Sequence, residues 1–118
     1  MKSKSAGLFA FTLVEVMIVV AIIGLLAAIG MPNYLRARTT SQLNSCLNNL
    51  RQIDAAIQQY ALENKRAATA SVSESDVTPY LKNLVVCPSG GAAFIDSYQL
   101  FDVSTHPVCL RVPSHVLP

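Results

Sequence analysis

The stretch from Phe11 to Gly30, "FTLVEVMIVVAIIGLLAAIG", constrains this chain more than any other. Its 20 residues include one charge, Glu15, and one hydroxyl, Thr12. Wound as a helix, they extend roughly 30 Å, the thickness of a bilayer's hydrocarbon core. The whole chain has 118 residues, so what remains suffices for one small domain. The hydrophobic fraction is 52%, and its excess over an ordinary soluble domain is concentrated in this one run. A hydrophobic segment carrying a small polar domain is the organisation this implies.

Charge narrows the function classes. Nine Lys and Arg face seven Asp and Glu, a net charge of +2. Lys2 and Lys4 precede the apolar run and account for the whole excess. No basic patch of the kind nucleic-acid binding requires is present. Arg36 and Arg38 follow the run and suit lipid headgroups or solvent. The two basic pairs nearly balance across the run, so charge alone does not orient it. A short basic start before an apolar run is nevertheless how exported chains begin.

Residues 1–10 read as a leader, and residues 11–32 as a membrane-spanning helix. Pro32 interrupts its hydrogen-bond ladder, which a membrane helix tolerates where neighbours satisfy the freed carbonyl. From 33 to 66 the pattern becomes amphipathic. Leu43, Leu47, Leu50, Ile53, Ile57, Tyr60 and Ala61 recur at helical spacing. Arg51, Gln58, Glu63 and Arg66 fall largely off that stripe, with Asp54 near its edge. One long helix of about 50 residues, bent near Pro32, is predicted. Residues 67–118 form the small carboxy-terminal region. "AATASVSESD", 67–76, reads as a loop. "TPYLKNL" reads as a short helix, with Thr78 as N-cap and Pro79 at the first helical position. "CPSGG", 87–91, is a turn. "AAFI" and "YQLFDV" read as two strands joined across Asp96-Ser97, with a third around Val108 to Val112 flanked by Pro107 and Pro113. The fold class is therefore α+β.

A carboxylate inside a membrane segment is costly, about 3 kcal/mol at the helix centre on an insertion scale and less toward an end. Glu15 can snorkel or be protonated; otherwise it needs a partner. The run contains no Lys or Arg. A partner must come from another chain, a headgroup, or a new amino terminus made by cleavage.

The residues "AFTLVEVMIVVAIIGLLAAIGMPNYLRAR" resemble the amino terminus of type IV pilins and type II secretion pseudopilins. The resemblance is close from Ala10 to about Arg38 and weakens along the amphipathic helix. It implies a pilin-like fold, in which a long amino-terminal helix packs on a small antiparallel sheet. It implies cleavage by a prepilin peptidase between Ala10 and Phe11, and methylation of the new Phe11 amine. Family members usually have Gly before the cut, where this chain has Ala10. Glu15 would be the family's glutamate, neutralising the amino-terminal charge of a neighbouring subunit. Two buried charges offset each other's desolvation only when paired. Gly24 and Pro32 match positions where family helices loosen on assembly. The implied protein is a structural filament subunit in a bacterial inner membrane, with its carboxy-terminal domain outside the cytoplasm. It would be assembled into a periplasmic or surface filament. Its partners would be other copies and related pilins, the prepilin peptidase, an assembly platform with its motor, and membrane lipid. No calcium site is carried over, since Asp96 and Asp102 do not make a dense acidic loop.

The three cysteines, Cys46, Cys87 and Cys109, allow three single pairings. An extracytoplasmic domain permits a disulfide. Cys87 with Cys109 is the expected pair, since they flank the sheet region near prolines; it would contribute about 3 kcal/mol. Cys46 then remains a buried thiol on or near the stripe. Cys87, His106, Cys109 and His115 have the right ligand types for zinc. Their spacing lacks a close Cys pair, so no metal site is assigned, no cofactor is expected, and both histidines read as polar loop residues. No catalytic motif is found, so the chain is not read as an enzyme. Two other readings use the same apolar run. One is a secreted binding module cut after "AIG", 28–30, which leaves Glu15 in the signal's core. The other is a plain single-pass anchor, which does not explain the Phe-Thr-Leu-Val-Glu order.

Overall fold

The structure, a computed structural model, describes residues 11–118. They form two units, the first ending at Arg38 and the second spanning Thr39–Pro118.

Helix α1 runs Leu13–Glu63, 51 residues with Pro32 inside it. Throughout the first unit its residues are exposed. Leu25 and Ile29, for example, keep 67% and 69% of their surface. This portion is long and apolar enough to cross a membrane. Apolar side chains that nothing in their own unit covers need lipid or another protein around them.

In the second unit α1 does bury a stripe. Cys46, Leu50, Ile53, Ala56, Ile57, Tyr60 and Ala61 are buried, while Leu43 and Leu47 are partly so. This is the predicted stripe with Cys46 and Ala56 added. The helix ends without a glycine. Lys65 takes φ 51°, and the Arg66 amide donates to the Ala61 carbonyl at 2.9 Å. That closes a Schellman-type C-cap at a residue that normally avoids the left-handed region.

Helix α2 spans Glu74–Val77 and continues into a 3₁₀ turn at Thr78–Tyr80. The helical segment thus begins four residues before the predicted N-cap, inside the predicted loop. The reason is Asp76, whose carboxylate accepts the Ser73 amide at 3.0 Å and the Ser73 hydroxyl at 2.7 Å. That satisfies the orphan amide one turn early. Thr78 closes α2 instead of opening a helix; its hydroxyl donates to the Glu74 carbonyl at 2.7 Å.

The expected strand "AAFI" is corrected in the same way. Helix α3 occupies Phe94–Ser97, because Asp96 accepts the amides of Ala92 and Ala93 at 3.1 and 3.2 Å. Ser97 donates back to the Ala93 carbonyl at 2.7 Å. The strand after it, β1, is only Tyr98–Gln99. Its antiparallel partner is β2, Val108–Cys109, with Tyr98 opposite Cys109 and Gln99 opposite Val108. Further along "YQLFDV", Asp102 bridges Ser71 instead, with Val72 donating to Phe101 and Val103 to Ala70.

The core gathers the α1 stripe with Val72, Val77, Phe94, Tyr98 and Val103. With so little sheet, side-chain amides of α1 tie the loops down. Gln42 donates to the Pro88 carbonyl at 3.3 Å, Asn49 to Val86 at 3.1 Å, and Gln58 to Val103 at 2.8 Å. The fold is α+β and pilin-like: a long apolar amino-terminal helix with a small antiparallel sheet.

Candidate functional site

Two groups of residues carry chemistry, one in each unit. The first is the start of α1. Thr12 stands before the helix and Glu15 in its first turn. One Glu15 carboxylate oxygen accepts the Thr12 amide at 2.9 Å and the Thr12 hydroxyl at 3.3 Å. The Glu15 amide donates to the Thr12 hydroxyl at 3.2 Å in return. This reciprocal pair is a capping box, legible in the sequence as Thr-x-x-Glu before an apolar run. The carboxylate also complements the positive end of the helix macrodipole. Phe11 and Glu15 are both exposed. Ala10 lies outside the described residues, as does the rest of the expected leader. Gly24 and Pro32 line one shallow groove with Ala28, Met31 and Leu35. A Cβ added at Gly24 would meet nothing within 4 Å, so no contact within the chain requires glycine there.

The second group is buried, and spacing along the chain announces only part of it. Cys87 and Cys109 come together, as the expected pairing required, but as free thiols with sulfurs 3.5 Å apart. Cys46 reaches the same point from α1, its sulfur 3.9 Å from that of Cys87. His115 completes the group. One donor atom from each of Cys46, Cys87, Cys109 and His115 lies within 4.8 Å of all the others. All four residues are buried, Cys46 at 0% exposure and His115 at 6%. His106 is elsewhere, exposed and 3.3 Å from Asp54.

Four parts of the second unit supply these side chains. Cys46 comes from the helix stripe, Cys87 from the turn before α3, Cys109 from β2, and His115 from the carboxy-terminal segment. Gly90 and Gly91 both donate to the Cys87 carbonyl, at 3.3 and 2.9 Å. Gly90 has φ 124°, and a Cβ on Gly91 would collide with Ser97, so both glycines are required by this turn. Tyr98, opposite Cys109 on β1, reaches the cluster. Its hydroxyl donates to the Cys46 sulfur at 3.8 Å and accepts from Asn49 at 2.9 Å.

Burial pushes the Cys46 thiol up to about 12, its contact with Cys109 adding to the rise. Cys109 is held below the usual thiol value. Burial opposes this, but the Val112 amide, the Cys87 thiol and the Arg111 amide outweigh it. Among the described residues, His115 Nδ1 is the one buried side-chain nitrogen or oxygen without a hydrogen-bond partner. No local spacing signals the part Cys46 plays, since it lies 41 residues from Cys87.

Residues 9–31 match the family model for the prokaryotic N-terminal methylation motif. Over 67 residues the chain is 45% identical to a type IV major fimbrial protein of Dichelobacter nodosus, covering 57% of this chain and 40% of that one. Over 87 residues it is 31% identical to the type II secretion system core protein G of Klebsiella pneumoniae, covering 69% and 60%. A type IV major pilin protein of Myxococcus xanthus is 43% identical over 56 residues, covering 48% and 26%. The chain thus spans about two fifths of the length of the first of these relatives. No solved structure matches it significantly.

Proposed function

The chain belongs to the type IV pilin-like proteins, and from that premise we propose that it is a structural subunit of a pilus-like or pseudopilus-like filament. A prepilin peptidase cuts between Ala10 and Phe11 and methylates the Phe11 amine. Residues 1–10 are then the leader, 11–32 the membrane and filament-core helix, 33–66 its amphipathic continuation, and 67–118 the outward-facing region. The subunit waits in the inner membrane as a single-pass protein. An assembly platform and its motor then draw it into a polymer of copies and related pilins.

The observation that carries this reading is the first unit itself. Its helix is exposed on all sides, apolar, and holds one carboxylate in its first turn. A polymer replaces lipid contact with helix–helix contact, so extraction need not expose the apolar surface to water. Glu15, which caps its own helix in the single chain, pairs in the filament with the methylated Phe11 amine of a neighbour. The amine is a positive charge in an apolar surround, and an opposite charge at hydrogen-bonding distance offsets its desolvation. Gly24 and Pro32 are where the helix gives way as subunits pack, since one lacks a side chain and the other an amide donor.

The test is the intact mass and amino-terminal sequence of the protein taken from membranes. The expected result is a chain that starts at methylated Phe11. A soluble chain starting at Met31 would sink the filament reading, as would uncut protein in a host with an active prepilin peptidase.

A further inference from the structure

We propose that Cys46, Cys87, Cys109 and His115 are the four ligands of a structural zinc ion that ties the carboxy-terminal region to helix α1. The inference rests on the second unit alone and stands whether or not the chain forms filaments.

Geometry is the first support. Structural zinc is held tetrahedrally, and Cys₃His is one of its usual ligand sets. With Zn–S distances of about 2.3 Å, two ligating sulfurs stand about 3.8 Å apart. The observed separations are 3.9 Å for Cys46–Cys87 and 3.5 Å for Cys87–Cys109. All four donor atoms fall within 4.8 Å of one another, so one ion reaches all of them with small side-chain shifts.

The second support is an unmet valence. His115 is buried at 6% exposure, and its Nδ1 has no hydrogen-bond partner. Buried polar atoms are nearly always satisfied. A Cys87–Cys109 disulfide would still leave His115 Nδ1 buried without a partner, and would leave Cys46, held only by the Tyr98 hydroxyl, outside the bond. A metal ion engages all four side chains at once. Three thiolates and an imidazole are soft and borderline donors, which favours zinc over calcium or magnesium. Four protein ligands close the coordination sphere, which marks a structural rather than a catalytic site.

The surroundings suit thiolate ligands. The Tyr98 hydroxyl already donates to the Cys46 sulfur at 3.8 Å and is itself fixed by Asn49. Second-layer donors of this kind orient metal ligands and tune their basicity. On binding, Zn²⁺ displaces the protons of the three thiols to solvent and takes a lone pair from neutral His115, with no redox change. The need is also plain. The sheet has two strands of two residues each. A metal cross-link between α1, a turn, β2 and the carboxy-terminal segment supplies what so small a core lacks.

The experiment uses the full chain, purified in detergent without chelator, with thiols trapped at lysis. The expected result is one zinc per chain and no Cys87–Cys109 disulfide. Replacing zinc with Co²⁺ should give tetrahedral visible bands and near-ultraviolet thiolate-to-cobalt absorption. His115→Gln should weaken zinc binding at least about tenfold, whereas His106→Ala should leave it unchanged. Cys46→Ser should remove part of the thiolate absorption, and His115→Gln keeps the test decisive if that variant does not fold. A Cys87–Cys109 disulfide in cell-derived protein would overturn the proposal. So would reduced chain that takes up no stoichiometric zinc, a cobalt form without thiolate absorption, or equal zinc loss in the two histidine variants.

Discussion

Glu15 has two uses, which a substitution can separate. In the single chain it is the third helical residue and closes a capping box with Thr12. In the proposed filament it is a charge partner. Glutamine serves a capping box as well as glutamate does, but carries no charge. Glu15→Gln should therefore leave helix content and membrane insertion unchanged and abolish filaments. Normal filaments from this variant, seen by electron microscopy, would remove the charge-pairing role. Asp76 gives a pH-dependent case. Its carboxyl is held below the usual range first by the Ser73 amide and then by the Ser73 hydroxyl. A carboxyl lowered on folding adds stability above its unfolded value near 4, and that stability is lost as pH falls through the lowered value. The melting difference between the native chain and Asp76→Asn should be full at about pH 6 and close below about pH 4. A difference that persists into strong acid would mean that shape, not charge, is what Asp76 contributes.

At the scale of elements, α1 is two helices in energetic terms. Its first portion buries nothing within its unit. The second holds the domain through one stripe. Ile53 is fully buried there, while Leu62 keeps 80% of its surface. Ile53→Ala should cost about 2–5 kcal/mol of stability. Leu62→Ala should stay within about 0.5 kcal/mol in denaturant melts, since it leaves no cavity. Equal costs would mean that Leu62 is covered by something, a neighbouring copy included. The short elements obey different rules. Glu74–Val77 and Phe94–Ser97 are helical because Asp76 and Asp96 each turn back to accept amides at the start of a turn. "AAFI" has the side chains of a strand, but a two-residue strand gains little from them, and the carboxylate decides. Asp96 is further held by Arg111 at 3.0 Å, which links α3 to the segment after β2.

For the molecule as a whole, exposed apolar surface implies residence in lipid or in a polymer. The full chain should stay with membranes through an alkaline carbonate wash, and its appearance in the soluble fraction would contradict the anchor. Much of this is legible in the sequence. Phe11 to Gly30 can be read as a helix long and apolar enough to cross a membrane because its signal is local: apolar side chains, one length, one charge. The α1 stripe can be read because helical periodicity is local too. Leu50, Ile53, Ile57 and Tyr60 point one way whatever they meet. Local pattern fails where partners are distant. Tyr98–Gln99 pairs with Val108–Cys109 and not with "AAFI", and no spacing announces that choice. The cluster of Cys46, Cys87, Cys109 and His115 is the strongest example. Its members come from a helix, a turn, a strand and a tail, and Cys87 stands 41 residues from one cysteine and 22 from the other. Read along the chain they look like one buried thiol, one expected disulfide and a loop histidine. The sequence by itself determined the long apolar helix, its lone carboxylate and the face that α1 buries, because each depends on neighbours within a few turns. Only the tertiary structure decided which sulfurs meet and which histidine joins them, because packing of the loops against α1 closes those distances.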